Sequence, residues 1–194
     1  MDIQTVIAPP LENNIYLLGD SKEVLIIDAA GDAKSTQEVK RLVSGRKVVA
    51  VAITHGHFDH TMGVPHFKSL LGDVPVYLHR KDLFLWEERY PDIKPDKELQ
   101  DSLEFQVGSD TVKALYTPGH TPGSTCFYWQ GGEVVFSGDT LFPGGPGATR
   151  WDYSDHNTII NSIQTKLFSL PPATRLLPGH GRPSTIGTEA KGRY

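Results

Sequence analysis

The chain has 194 residues, 38% of them hydrophobic and 22% charged, with a formal net charge of −4. That suits a globular protein with a sizeable core and excludes a disordered chain. The acidic balance gives no footing for nucleic acid or an anionic membrane surface, and no apolar run approaches the roughly 20 residues of a membrane span. The single cysteine, Cys126, leaves no intrachain disulfide and fits a reducing compartment. The opening MDIQTVIAPPLENN has neither a basic nor an apolar segment of a secretory signal, so a cytoplasmic protein is expected. Nothing in the sequence assigns an oligomeric state.

The first third reads as strands: IQTVIAP, NIYLLGD and EVLIIDA are short, apolar and β-branched, with turn residues between them. DAKSTQEVKRLVSG reads as a helix, with Val39, Leu42 and Val43 at helical spacing, Asp32 as a cap and Gly45 as a stop. RKVVAVAIT is a continuous apolar run and so a buried strand. TMGVPHFKSLLG and RKDLFLWEERY read as helices on either side of a short strand, VPVYL. Two hairpins follow, turning at Gly108–Asp110 and at Gly131–Gly132. SDHNTIINSIQTKLFSL places Ile159, Ile160, Ile163, Leu167 and Leu170 on one helical face, with Ser154 or Asp155 as cap and Pro171–Pro172 as stop. TRLLPGHG is a last strand running into a loop. Two runs of strands, with helices between and after, predict two packed sheets with helices outside. No linker divides them, so residues 1–194 read as one domain. The stretches PGGPG and ATRWDYSD are expected to be irregular, and the tail from about residue 187 is expected to fray.

The chemistry lies in the histidines. THGHFDH, residues 54–60, directly follows the buried strand. His55 and His57 are two apart in extended chain and point the same way, and Asp59 and His60 stand where a helix should start. Three imidazoles and a carboxylate are donors that zinc, iron or manganese accept. Three later segments repeat one design, an apolar strand, a Gly-containing turn and then a ligand type: KALYTPGH ends at His120, EVVFSGD at Asp139 and TRLLPGH at His180. Ligands just past strand ends can converge on one edge of a β scaffold, and Pro and Gly hold such loops stiff.

HxHxDH, the TPGHTPGS loop, the Asp of SGD and the final His of PGHG together resemble the metallo-β-lactamase superfamily, over nearly the whole chain. Within it the chain is most similar to the short glyoxalase II type, the hydroxyacylglutathione hydrolase-like hydrolases. The resemblance implies an α+β fold, a four-layer αββα sandwich of two mixed sheets with helices on both outer faces. It also implies two divalent metal ions, zinc foremost and iron or manganese as alternatives. His55, His57 and His120 would hold one ion, Asp59, His60 and His180 the other, and Asp139 would bridge them. Asp28 of LIIDA would support the ligands by a hydrogen bond. The implied reaction is cleavage of a small-molecule acyl thioester, of the S-2-hydroxyacyl type, by hydroxide shared between the ions, with Asp59 orienting the nucleophile. The rival readings are a single-iron persulfide dioxygenase and a lactonase, and the intact PGHG motif favours the dinuclear hydrolase. The C-terminal domain of the longer glyoxalase II enzymes is not matched here, which leaves the thiol carrier open.

Other residues are given ordinary roles. His66, His79 and His156 are read as structural or exposed, Cys126 as core, and Ser137 and Thr140 as local hydrogen-bonding groups. Arg150, Trp151 and Tyr153 follow Asp139 in the irregular loop; of two readings, lining a substrate pocket or lying on a surface loop, the surface reading is preferred, and no substrate-binding residue is assigned.

Overall fold

The first half of the chain builds a six-stranded sheet in the computed structural model, which describes residues 1–192. Its strands are β1 (Asp2–Ala8), β2 (Asn13–Gly19), β3 (Glu23–Ile27), β4 (Lys47–Ala52), β5 (Val76–His79) and β6 (Lys97–Leu99), in that spatial order. β1 to β3 form an antiparallel meander, and β3 to β6 run parallel. The parallel connections carry α1 (Ala33–Val43), α2 (Phe58–Thr61), α3 (Val64–Leu71) and α4 (Leu83–Arg89).

The second half builds another six-stranded sheet from β7 (Glu104–Val107), β8 (Asp110–Tyr116), β9 (Thr125–Trp129) and β10 (Val134–Gly138), which are sequential antiparallel neighbours. A small ribbon, β11 (Leu141–Phe142) with β12 (Gly145–Pro146), and α5 (His156–Ser162) follow. β13 (Arg175–Pro178) then pairs parallel to β10, β14 (Ser184–Thr185) closes the edge, and α6 (Ile186–Glu189) ends the described elements.

Alternation along the strands explains the layering. β2 is buried throughout because it has no solvent face. Tyr16 and Leu18 join Leu25, Ile27, Phe105, Phe127 and Phe136 between the sheets. Ile15 and Leu17 turn the other way, toward Val39 of α1, Phe67 of α3 and Trp86 of α4. Beyond the second sheet, Cys126, Val135 and Leu176 meet Ile159, Ile163 and Leu167. The result is the expected αββα sandwich. Each fully buried large side chain contributes about 1.5–3 kcal/mol of transfer free energy.

Asp32 caps α1 through Ser35 N–H at 2.9 Å, and Asp155 caps α5 through Thr158 N–H at 2.6 Å. Several elements differ from expectation. The helix expected from residue 61 is two pieces, α2 and α3, separated by Met62 and Gly63. The helix expected over 154–170 ends its α-turns at Ser162 and continues as a π-helical segment over Ile163–Leu167. PGGPG is part of a short ribbon rather than wholly irregular. β6 has no counterpart in the sequence reading, because DKELQ lacks apolar alternation and its pairing to β5 is made by the backbone. Where fraying was expected, Ile186–Glu189 form α6. Glu189 is buried and accepts the Gly144 N–H at 2.8 Å and the Ser184 hydroxyl, which pins α6 to the ribbon. The expected fraying of Arg193 and Tyr194 lies outside the described residues.

The strand directions sort the connections. β3, β4, β8, β10 and β13 all finish at one end of the sandwich, where β2 begins. The β2–β3, α1–β4 and β7–β8 connections gather at the other end. There Lys47 pairs with Glu23 at 2.8 Å, and Glu23 accepts the Gly108 N–H at 3.0 Å.

Candidate metal centre

The strand ends deliver the predicted residues to one place. Asp28 follows β3, His55 and His57 follow β4, and Asp59 and His60 lie in α2. His120 follows β8, Asp139 follows β10 and His180 follows β13. Their donor atoms form three overlapping groups, His55–His57–His120, Asp59–His60–His180 and, joining these two triads, His55–His60–Asp139, each with all atoms within 4.8 Å of one another. In the first, Nδ1 of His57 lies 3.0 Å from Nε2 of His55 and 3.0 Å from Nε2 of His120. In the second, Nε2 of His180 lies 3.3 Å from Nε2 of His60 and 3.2 Å from Oδ2 of Asp59. Asp139 stands between, with Oδ1 3.3 Å from His60 Nε2 and Oδ2 3.7 Å from Nε2 of both His120 and His180.

The outer nitrogen of every one of these histidines has a hydrogen-bond partner. Nδ1–H of His120 donates to the Ala148 carbonyl at 2.8 Å, and Nδ1–H of His180 to the Leu11 carbonyl at 2.9 Å. His60 Nδ1–H donates to Asp28 Oδ2 at 2.8 Å. The Thr54 hydroxyl donates to Asp28, so its lone pair accepts from His55 Nδ1 at 3.1 Å. His57 Nε2 meets the Tyr153 hydroxyl at 2.9 Å. In neutral imidazole one nitrogen carries the proton and the other a lone pair. In the neutral ring the lone pairs of His55, His60, His120 and His180 therefore face inward, as metal ligands require, while at His57 the Tyr153 hydroxyl fits either tautomer.

Electrostatics agree. Burial holds His55, His57 and His120 below the usual imidazole range, His57 at about 4, so these three are neutral donors at physiological pH. Burial also opposes charge on His60 and His180. Asp28 and Asp139 outweigh it at His60, and Asp59 and Asp139 at His180, so both are raised. The carboxylates of Asp59 and Asp139 are held low despite their burial, by the surrounding histidines and, at Asp59, also by Asn13. Positive charge is thus favoured beside the second triad. Oδ1 of Asp139 is buried without a hydrogen bond, and such an atom costs free energy unless a cation or donor meets it. The donor set fits two transition-metal ions.

Local backbone makes this convergence possible. Asp28 has φ of 65°, a left-handed conformation uncommon outside glycine, and its carboxylate reaches the Thr54 N–H at 2.7 Å as well as His60. Gly179 of PGHG lies where a side chain would strike Asp139 Oδ1, and would meet His60 Cε1 at 2.6 Å. Only glycine lets β13 pass so close to the centre.

A cavity of about 840 Å³ opens over the triads. Leu11, Phe58, Leu85, Phe142, Trp151 and Tyr153 line it, with Glu88, Arg89 and Arg150 among the charged groups. Trp151 and Tyr153 are therefore site residues, a correction to their reading as surface loop. The Trp151 ring packs on His57 at 4.5 Å and His120 at 5.3 Å and stacks parallel to Tyr153, with the Arg150 guanidinium 4.8 Å from its centre. An aromatic pair in an irregular loop after Asp139 was the available signal. Asn13 was missed too. It is fully buried, and its Nδ2 donates to Asp59 Oδ2 at 3.0 Å.

The remaining readings hold. His66 and His156 are exposed, while His79 stacks on Tyr116 at 4.5 Å and accepts the Lys81 N–H. Cys126 is core, Ser137 donates to the Leu141 carbonyl, and Thr140 meets the Thr117 hydroxyl.

The sequence matches the metallo-beta-lactamase superfamily over residues 8–180. It is 33% identical to the hydroxyacylglutathione hydrolase GloC of Haemophilus influenzae, over 98% of this chain and 96% of that one. Among solved structures it is similar to the BLEG-1 B3 metallo-beta-lactamase, with a TM-score of 0.86, 32% identity, and coverage of 98% of this chain and 97% of that one. It is also similar to TTHA1623 in a di-iron-bound form, with a TM-score of 0.84, 33% identity and 97% coverage of each chain. Strand order, ligand loops and sequence match agree, and the chain belongs to the metallo-beta-lactamase superfamily.

Proposed function

We propose that the protein is a dinuclear-metal-dependent hydrolase of a small acyl thioester, of the S-2-hydroxyacyl type. The observation that carries the reading is the pairing of two donor triads with Asp139 between them. Similarity to a hydroxyacylglutathione hydrolase and to a protein that binds two irons supports it. His55, His57 and His120 would hold one ion, and Asp59, His60 and His180 the other, with Asp139 shared. Zinc is the metal proposed, with iron or manganese as substitutes.

Two divalent ions would supply hydroxide near neutral pH and polarise a carbonyl oxygen. The chain's own residues set the geometry. Asn13 donates to Asp59 Oδ2, so this carboxylate stands fixed and can orient the nucleophile. Trp151 and Tyr153 wall the first triad, and Leu11, Phe58 and Phe142 flank the approach. These apolar surfaces restrict water around the acyl group and leave attack to one oriented donor. A small-molecule substrate is proposed rather than nucleic acid, since the net charge is −4; no described helix is long and apolar enough to cross a membrane.

The test is elemental analysis of metal-loaded protein with a substrate panel of hydroxyacyl thioester, lactone, β-lactam and persulfide with oxygen. About two ions per chain and fastest turnover of the thioester are expected. No more than one ion, or turnover confined to another substrate, overturns the reading.

A further inference from the structure

Asp82 is fully buried, carries no metal-ligand role above, and has no lysine, arginine or histidine partner among the described residues. It follows β5 and immediately precedes α4. Its two oxygens accept three hydrogen bonds. Oδ2 takes the Gly56 N–H at 2.8 Å and the Thr121 hydroxyl at 2.7 Å, and Oδ1 takes the Gly123 N–H at 2.6 Å. Gly56 is the residue between His55 and His57. Thr121 follows His120, and Gly123 lies in the same loop. A side chain at Gly123 would meet Asp82 Cγ at 2.6 Å, so that glycine lets the loop close on the carboxylate. The two loops come from different sheets, through β4 and β8, and this carboxylate is bonded to both.

A carboxylate in this place has a cost. Burial pushes its pKa up, because the ionised form loses water. A neutral side chain or a simple apolar contact would fill the space without that cost, but no neutral side chain accepts three donors at two oxygens. We infer that Asp82 is a positioning residue that sets the spacing of His55 and His57 against His120, and so tunes metal affinity at that triad alone. The second triad is held by other groups: Asp28 on His60, Leu11 on His180 and Asn13 on Asp59. The inference rests on the reading of His55, His57 and His120 as ligands of one ion.

The test compares Asp82→Asn with Asp28→Asn in the full-length protein. The carboxamide that Asp82→Asn introduces presents one oxygen and one NH2, so it can keep Gly56 and Thr121 only by opposing a donor to the Gly123 N–H. Cobalt(II) titration against a chromophoric chelator should show one of two sites weakened by about 10–100-fold in Asp82→Asn, with the other unchanged. Asp28→Asn should weaken the opposite site most, through His60, with a smaller effect passed by Thr54 to His55, so the two variants should differ in which cobalt absorption band is lost first. Amide hydrogen exchange on metal-free protein gives a readout independent of activity: Gly123 should lose protection in Asp82→Asn and retain it in Asp28→Asn. Should Asp82→Asn not fold, Thr121→Val removes one of the three bonds and should shift the same site in the same direction by less. Two cobalt affinities equal to wild type in Asp82→Asn, or equal loss at both sites, overturn the inference. A wild type that binds one ion overturns the dinuclear reading instead. In that case Asp82→Asn must still weaken the single site and deprotect Gly123, or the inference falls with it.

Discussion

The hydroxyl of Tyr153 lies 2.9 Å from Nε2 of His57, the nitrogen turned away from His55 and His120. Its ring also stacks parallel to Trp151, which covers the first triad. One side chain thus orients a donor and supports the wall of the cavity. Tyr153→Phe keeps the wall and removes only the hydrogen bond. Metal affinity at one site should fall by about 10-fold and kcat should fall with it, while KM stays near wild type. Chelator competition and steady-state kinetics measure both. An unchanged affinity would show that the hydroxyl does not orient His57.

His180→Ala separates dinuclear from mononuclear chemistry. His180 Nε2 lies within 3.3 Å of both His60 Nε2 and Asp59 Oδ2. Its loss should reduce the metal count from about two to about one and lower kcat by on the order of 100-fold or more. In a single-iron enzyme built on His55, His120 and Asp139, the same change would leave iron content and persulfide oxidation near wild type. Elemental analysis paired with kinetics decides between them.

The sandwich depends on aromatic packing between its sheets. Phe127 and Phe136 are fully buried there, and Phe136 meets Tyr16 at 5.1 Å between ring centres. Phe127→Ala should cost about 3–5 kcal/mol in urea unfolding at an unchanged slope. A loss below about 1 kcal/mol would mean that the sheets close over the gap.

Cys126 should be inert in the native protein. Burial pushes its thiol up from 9.0 to about 11, and thiolate is the reactive form. At pH 8 a thiol reagent should label native protein far more slowly than protein unfolded in urea. The raised value also has a sign in stability. Below pH 9 both states keep the proton. Between pH 9 and about 11 only the unfolded chain releases it, so stability falls through that window. Cys126→Ala should remove that part of the alkaline loss, which unfolding curves at about pH 8 and about pH 10.5 would show.

The candidate ligand set was legible because each of its loops follows an apolar strand, and strand ends in one sheet direction share an edge. The alternation of an extended chain put His55 and His57 on one side, and the shared strand–turn–ligand design brought in His120, Asp139 and His180, while the division of the seven between two ions came from the family resemblance. Asp28 was reached through the family resemblance. Asp82, Asn13 and Tyr153 were not legible, since their roles come from contacts made across the chain. Asp82 meets residues 26 to 41 positions away, and Tyr153 meets one 96 away. β6 and α6 were missed for a related reason: β6 is held by backbone pairing, and α6 by the buried Glu189. Neither leaves an apolar pattern.

The sorting of connections to opposite ends has a practical meaning for anything attached to the molecule. The turns at residues 20–22, at Gly45 and at Gly108 carry exposed polar groups and none of the cavity-lining residues. A biotin, a dye or a solid support joined there would leave the mouth of the cavity pointing away from the surface. Attachment near Leu11 or Phe58, which are each 50% exposed, would instead stand in the path of the substrate. The same fold would then give an immobilised protein that works or one that does not, according to which pole carries the linker.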